Sequence, residues 1–453
     1  VPRPFVPLLV VPLLVAAVLG VAGCKGSSPD AAPVPADPQV AWVQAHALPI
    51  RSIDPTDEDF SDLAPLRQVL AGRRVVVLGE ATHGDGATSL AKSRLIRFLH
   101  QEMGFDAIVF ESGFYDCWKA WQRIEDGADP EAVFRQSVFP IWTRTAQLQD
   151  LIAYFAAEAR SAHPLELAGI DPQFTGALSQ QYLLGDLVRL ADAVGLSGRR
   201  LERRIAAPLA NLVGAGYELG ELPKPAERAA LLDELKTLED RLRGDAGQDV
   251  PERGFWLRLL ESTRANALSS WNTRWDQPLL ESPEYPVRDR LMGEQLAWLA
   301  KHRYAGQKIV VWMHSGHAAR GLSRVEVPSP AHARLYRTFK PAGAVARGTL
   351  GGSLYTVAVL AYQGRYRAMR GKSGELARPS DGSLEDMLHR TGFAHAFLDL
   401  SHEDQFPDWL RTPVVARPIG YMEMKARWQD VYDGVLFLDR MEPAAKAPVA
   451  PAR

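Results

Sequence analysis

Short β-branched runs alternate with long amphipathic stretches along this chain, and that alternation restricts its fold more than any other feature. Arg74–Leu78 (RVVVL) reads as a buried strand, and Thr88–Met103 as a helix whose Leu90, Leu95, Phe98 and Leu99 share one apolar face. Asp106–Glu111 is a second strand, Phe114–Ile124 a helix, Ala146–Ala162 another helix, and Leu165–Ile170 a third strand. From Leu178 to Trp275 the pattern is helical throughout, which predicts an inserted all-helical subdomain at about residues 177–276. Val287–Lys301 then reads as a helix and Lys308–Trp312 as a strand, with further strands at Tyr355–Ala361, Ala396–Leu400 and Val435–Leu438. Strands separated by helices need crossover connections, so the expected class is α/β: a mainly parallel central sheet flanked by helices.

The two ends carry a different signal. Arg3 precedes an apolar run from Phe5 to Val21, and Val21-Ala22-Gly23-Cys24 resembles the lipobox of bacterial lipoproteins. The expectation is a signal peptide over 1–23, cleavage before Cys24, and acylation of its sulfur, which would anchor the protein to a lipid bilayer. Residues 24–40 are small, polar and Pro-rich and read as a tether, followed by an α/β domain over 41–441 and a disordered tail over 442–453. Lys25 stands where resembling Gram-negative lipoproteins carry the Asp that retains them at the inner membrane, so the outer membrane is the expected location. With Cys24 acylated, Cys117 is the one remaining thiol, and its aromatic surroundings mark it as a core residue. The charge balance, 52 Lys+Arg against 54 Asp+Glu without basic blocks, offers no footprint for nucleic acid.

In an open α/β sheet, ligands bind beyond the carboxyl ends of the strands. Four predicted strands end there in polar residues: Glu80 and His83 after the first, Glu111 on the second, Asp171 on the third, and His314 and His317 after Lys308–Trp312. Each alone reads as a capping, turn or core residue. Together they concentrate imidazoles and carboxylates on one rim, as proton transfer near neutral pH requires. Three histidines and two glutamates also compose a plausible zinc set, although no HExxH spacing is present. A serine-hydrolase elbow is missing, because Gly352-Ser353-Leu354-Tyr355 lacks its second glycine and Ser315 stands between His314 and Gly316. Gly371-Lys372-Ser373 lacks the upstream glycine of a phosphate loop and reads as a solvated turn, and no G-x-G-x-x-G follows a strand.

VVVLGEATHGDGATSLAKSRLIRFLHQEMGFDAIVFESGF resembles the opening block of the erythromycin esterase family, and the likeness continues through AGIDPQ, PVRDRLMGEQLAWL, KIVVWMHSGHAAR and DVYDGVLFLD. The resemblance implies an α/β core with a helical lobe and hydrolysis of an ester such as a macrolactone. It places the family's general base on His83, its glutamates on Glu80 and Glu111, and its later histidines on His314 and His317. A basic residue falls on Lys92, and Arg288 and Arg290 lie in the block before the histidine pair; with Asp171 they are the expected substrate-binding residues. One departure is that Ser315-Gly316, rather than Asn-Ala, separates the late histidines. Macrolide-inactivating members lack an acylated anchor, which points to an envelope substrate or an unassigned role.

The leading expectation is a metal-independent hydrolase of carboxylic esters or lactones. In it His83 activates water, Glu80 or Glu111 orients the imidazole, and His314, His317 or Lys92 stabilises the oxyanion. The alternatives are a metallohydrolase that ligates zinc or another divalent ion through the same side chains, and a non-catalytic envelope protein that captures haem or a glycan. Trp118, Trp121 and Trp142 would line the pocket of the latter, against the simpler reading that they pack the core.

Overall fold

The computed structural model describes residues 37–214, 221–272, 284–368 and 373–447. The signal peptide, Cys24, most of the tether and Gly371-Lys372 lie outside the described residues.

Eleven strands are formed among the described residues: β1 (Leu48–Pro49), β2 (Val75–Leu78), β3 (Ala107–Gly113), β4 (Glu166–Asp171), β5 (Ile309–Trp312), β6 (Leu354–Arg367), β7 (Ser373–Glu375), β8 (His395–Asp399), β9 (Val414–Ala416), β10 (Met424–Ala426) and β11 (Gly434–Met441). Nine make one sheet in the order β1-β8-β11-β6-β2-β5-β3-β4, with β7 hydrogen-bonded to the far end of β6. The six strands from β11 to β4 run parallel, and β8 and β1 close one edge antiparallel. The fold is thus α/β with a mainly parallel sheet.

A parallel sheet is covered on both faces, so its central strands are apolar throughout rather than alternating. Val75 to Leu78 are all buried for this reason. Their side chains nonetheless divide with the period of two that a strand imposes. Val75 and Val77 join Val109, Ile309 and Val311 under the helical lobe. Val76 and Leu78 join Ile108, Phe110, Val310 and Trp312 beneath the helix Gly86–Met103. Each such side chain taken fully from water contributes about 1.5–3 kcal/mol before entropy is counted.

Helix Gly86–Met103 starts after Asp85 and stops at Gly104, whose φ of 65° lets its N–H turn back to the His100 carbonyl. Between β4 and the helix Glu284–Trp298 come four α-helices among the described residues, Leu178–Ala193, Gly198–Gly214, Pro225–Arg243 and Arg253–Asn272. They pack consecutively and are continuous with one core. Pro38–Arg453 forms one compact unit.

Two boundaries differ from expectation. Composition extends the tether to residue 40, but helix begins at Pro38, with Val43 buried. Composition also places disorder from Glu442 onward, yet Pro443 bridges Asp85 and Lys446 bridges Thr145, with Ala444 buried. An Ala/Pro-rich segment reads as loose, but backbone pairing is indifferent to side-chain type, and the edge offered by residues 84–86 and 144–146 takes it up.

Candidate active site

β2, β5, β3 and β4 are neighbours in the sheet, so residues far apart in sequence leave it on one rim. The first contribution is the turn Gly79–Asp85. Gly79 has no room for a side chain: a Cβ there would lie 2.6 Å from Ser315 Oγ and 2.7 Å from the Val357 carbonyl. Gly84 is equally confined, at 2.2 Å from the Arg367 carbonyl. Glycine therefore brings this turn against its neighbours, and it presents Glu80 and His83 side by side.

His83 Nδ1 lies 2.7 Å from Glu80 Oε1. A carboxylate only accepts, so Nδ1 carries a proton, and the neutral form of the ring has its lone pair on Nε2. Nε2 bonds no described residue, on a ring 8% exposed. Glu80 also accepts from Lys92 Nζ at 2.9 Å and from Trp142 Nε1 at 3.1 Å. Burial works to raise the Glu80 carboxyl, but Lys92 and then His83 outweigh it and hold it below its usual range. Lys92 is fully buried, its ammonium 3.9 Å from the centre of the Trp312 ring. Burial brings its pKa down to about 8, against the pull of Glu80.

A second imidazole–carboxylate pair comes from the other side. His317 Nδ1 lies 2.8 Å from Asp289 Oδ1, and its Nε2 faces Glu111 Oε1 at 3.4 Å and Arg288 Nη1 at 3.2 Å. Burial alone would lower His317, but Asp289 and Glu111 outweigh it and raise its pKa above the ordinary imidazole value. Arg288 donates to Glu111 Oε1 at 2.8 Å and grips Asp171 through Nε and Nη2, the shortest contact being 2.6 Å. Glu111 is held strongly ionised against its burial by His317 and Arg288. Its second oxygen accepts from the His314 backbone at 2.8 Å.

His314 sits between the two pairs, its ring centre 5.3 Å from that of His83 and 5.8 Å from that of His317. Both of its nitrogens are already engaged. Nε2 lies 2.9 Å from the Ala81 carbonyl, which only accepts, and Nδ1 receives the Gly316 N–H at 3.0 Å. Burial and the neighbouring His83 and His317 press its pKa down to about 3, so the ring is neutral. His314 thus fixes the backbone on both sides of the cleft, and in this arrangement it has no free nitrogen for an oxyanion or a metal.

Glu80, His83, Lys92, Glu111, Asp171, Arg288, His314 and His317 are therefore brought together. Arg290 is not: its guanidinium pairs with Glu294 on a half-exposed helix face. Two residues along a helix correspond to about 200° of rotation, so Arg288 and Arg290 face opposite ways. Asp171, expected to touch substrate, is instead engaged with Arg288. Trp118 and Trp121 line a separate, small apolar cavity with Phe114, Phe255 and Trp298. Only Trp142 reaches the site, edge-on to His83. Sequence pattern alone misses Asp289, which is wholly buried although it stands between Arg288 and Arg290. An acidic residue inside an otherwise apolar helical stripe is the signal that could have found it.

Among the described residues no group of three or more His, Cys, Asp or Glu is arranged to hold a metal ion. The donor set explains this, because Lys92 and Arg288 sit on the very carboxylates a divalent cation would need.

A strand-end rim with a buried carboxylate on the Nδ1 of each of two imidazoles suits a hydrolytic enzyme, where water must lose a proton beside a polarised substrate. The chain belongs to the erythromycin esterase family, whose model matches residues 100–441. It is similar to the Bacillus subtilis protein named "Putative hydrolase YbfO", at 26% identity over 89% of this chain and 91% of that one. It is also similar to the Escherichia coli erythromycin esterase type II, at 22% identity over 88% and 97% respectively. Among solved structures, a Bacillus cereus protein shares the fold with a TM-score of 0.71, at 19% identity over 90% of this chain and 98% of that chain. A mutant of the erythromycin esterase EreC in its open conformation matches with a TM-score of 0.65, at 17% identity over 88% and 98%.

Proposed function

We propose that this hydrolase cleaves carboxylic ester or lactone bonds of a small molecule, without a metal, using Glu80–His83 as its base. The observation that carries the reading is the 2.7 Å contact between His83 Nδ1 and a Glu80 carboxylate kept ionised by Lys92. His83 Nε2 takes a proton from water as the oxygen attacks the carbonyl carbon. Glu80 holds the ring in the required tautomer and stabilises the imidazolium that forms. His317 and Arg288 supply positive charge on the same rim for the oxyanion. Collapse of the tetrahedral intermediate returns the His83 proton to the leaving alkoxide, releasing alcohol and acid.

The names of the relatives support an ester as the scissile group, and a macrolactone is one candidate among lactones. The test is to assay the purified protein against lactones, aryl esters and phosphoesters, with and without a chelator. Ester or lactone turnover unaffected by the chelator is the expected result. Turnover that vanishes with chelator and returns with zinc or manganese overturns the metal-free part of the reading.

A further inference from the structure

The hairpin β9–β10 lies outside the main sheet, yet its connecting loop is tied to the turn that carries His83 at two points and to the late-histidine segment at a third. The Gly420 N–H donates to the Ala81 carbonyl at 2.9 Å, the same oxygen that holds His314. Ile419 packs beside Gly316 at the start of the late-histidine segment. The Tyr421 hydroxyl donates to Asp85 Oδ2 at 2.7 Å. Tyr421 does so from a φ of 56°, a left-handed conformation that an aromatic residue keeps only when its surroundings impose it. The base of the loop is anchored by Arg417, buried among the carbonyls of Ala361, Tyr362 and Ala377.

Asp85 connects this loop to Thr82, the residue next to His83. Its Oδ2 accepts from the Thr82 N–H at 3.1 Å, and its Oδ1 lies 3.0 Å from Thr82 Oγ1. Thr82 Oγ1 also lies 2.9 Å from the Arg367 carbonyl. The threonine has a single hydroxyl proton, and a carbonyl can only accept, so that proton belongs to Arg367. The remaining contact, between two oxygens, then needs a proton from Asp85. The charged and titratable groups around Asp85 are Glu80 and Lys92 on the sheet side and Tyr421 on the loop, with Arg417 and Glu385 behind Tyr421. Burial, with some help from Glu80, brings the Asp85 carboxyl up to about 7 despite the hydrogen bonds it accepts.

We propose that Tyr421 and a protonated Asp85 form a clamp that positions the Glu80–His83 turn, which makes the β9–β10 loop a working wall of the active site. Tyr421 and Asp85 are positioning residues that act through Thr82 on His83. Loss of the clamp lets the imidazole leave the line that Glu80 sets for it, lowering turnover rather than affinity.

The activity half of the test rests on the proposed ester hydrolysis; the spectroscopic half does not. Tyr421→Phe keeps the ring and removes only the donor. It is expected to lower kcat about tenfold with KM nearly unchanged, and to broaden or abolish the downfield NMR proton resonance of His83 Nδ1–H. Asp85→Asn places an amide donor opposite Thr82 Oγ1 and is expected to keep both kcat and the resonance; Asp85→Leu is expected to lose both. Melting curves establish that each variant is folded, and the Tyr421→Phe and Asp85→Asn results decide the matter even if Asp85→Leu is not. Parental kcat and an intact resonance in Tyr421→Phe overturn the clamp. An Asp85→Asn variant that behaves like Tyr421→Phe overturns the protonated state of Asp85. If the parent cleaves no ester tested, the proposed function fails alone, and the resonance still decides the clamp.

Discussion

The two imidazole–carboxylate pairs of the cleft look alike and are built differently. Glu80 and His83 lie three residues apart in one turn, with a fully buried ammonium behind the carboxylate. Asp289 and His317 lie 28 residues apart on separate elements, and the Nε2 side of that imidazole meets a carboxylate and a guanidinium. The first pair leaves Nε2 open as a base. The second surrounds its imidazole with negative charge and so favours the protonated ring. Likeness in composition thus conceals a difference in what faces Nε2 of each ring, and that difference assigns the chemistry.

The largest expected effect tests that division directly. His83→Ala should lower kcat roughly 10²–10⁴-fold, the range that positioned general-base catalysis supplies. His317→Ala should cost less, about tenfold to a hundredfold, because it removes one source of positive charge while Arg288 remains. Steady-state kinetics on the best ester of the panel, with both variants shown to be folded, is the measurement. A larger loss from His317→Ala would exchange the two roles.

The glutamate–histidine pair was legible in the sequence because both residues fall in one turn directly after an apolar strand. The same logic found Glu111, Asp171, His314 and His317, since a parallel sheet delivers every strand end to one rim. The partners that set their states were not legible. Trp142 reaches Glu80 across 62 residues and Tyr421 reaches Asp85 across 336, and no local pattern encodes such contacts. The sheet was readable for a related reason: a strand buried on both faces advertises itself as a run such as VVVL. The tail was not, because backbone pairing at Pro443 leaves no trace in side-chain type.

Asp289→Asn sharpens the comparison through pH. Asp289 raises the His317 pKa, so a rate that needs the imidazolium is maintained below that pKa and falls on its alkaline side. Removing the carboxylate withdraws that support, and the alkaline limb of the kcat profile should move to lower pH. On the alkaline side of the profile the variant should be slower than the parent. The two rates should converge on the acid side, where the ring carries its second proton in both proteins. A limb that stays in place would detach His317 from the reaction.

Lys92 separates structure from catalysis on the first pair. Lys92→Met replaces a buried ammonium with an apolar chain of similar length and leaves Glu80 without its cation. Breaking a buried pair from one side typically costs about 3–5 kcal/mol, so a marked fall in Tm is expected by differential scanning calorimetry. Lys92→Met combined with Glu80→Gln should recover much of that loss, since the uncompensated charge is gone, but should not recover activity. Stability that stays low in the double variant would assign the cost to packing over Trp312 instead.

The smallest expected effect concerns the two arginines of one helix. Arg288 is nearly enclosed and gives its donors to Asp171 and Glu111, so Arg288→Ala strips the counter-charge from two buried carboxylates at once. Arg290 is half-exposed, and its pair with Glu294 is the i,i+4 kind that is worth a few tenths of a kcal/mol at most. Arg290→Ala should therefore leave kcat and KM within about twofold of the parent and barely move Tm, a change within what an exposed ion pair supplies. The pair also tests where substrate can lie. A selective rise in KM for Arg290→Ala would mean that the ligand extends over the outer face of this helix, whereas unchanged constants confine it to the rim between His83 and His317.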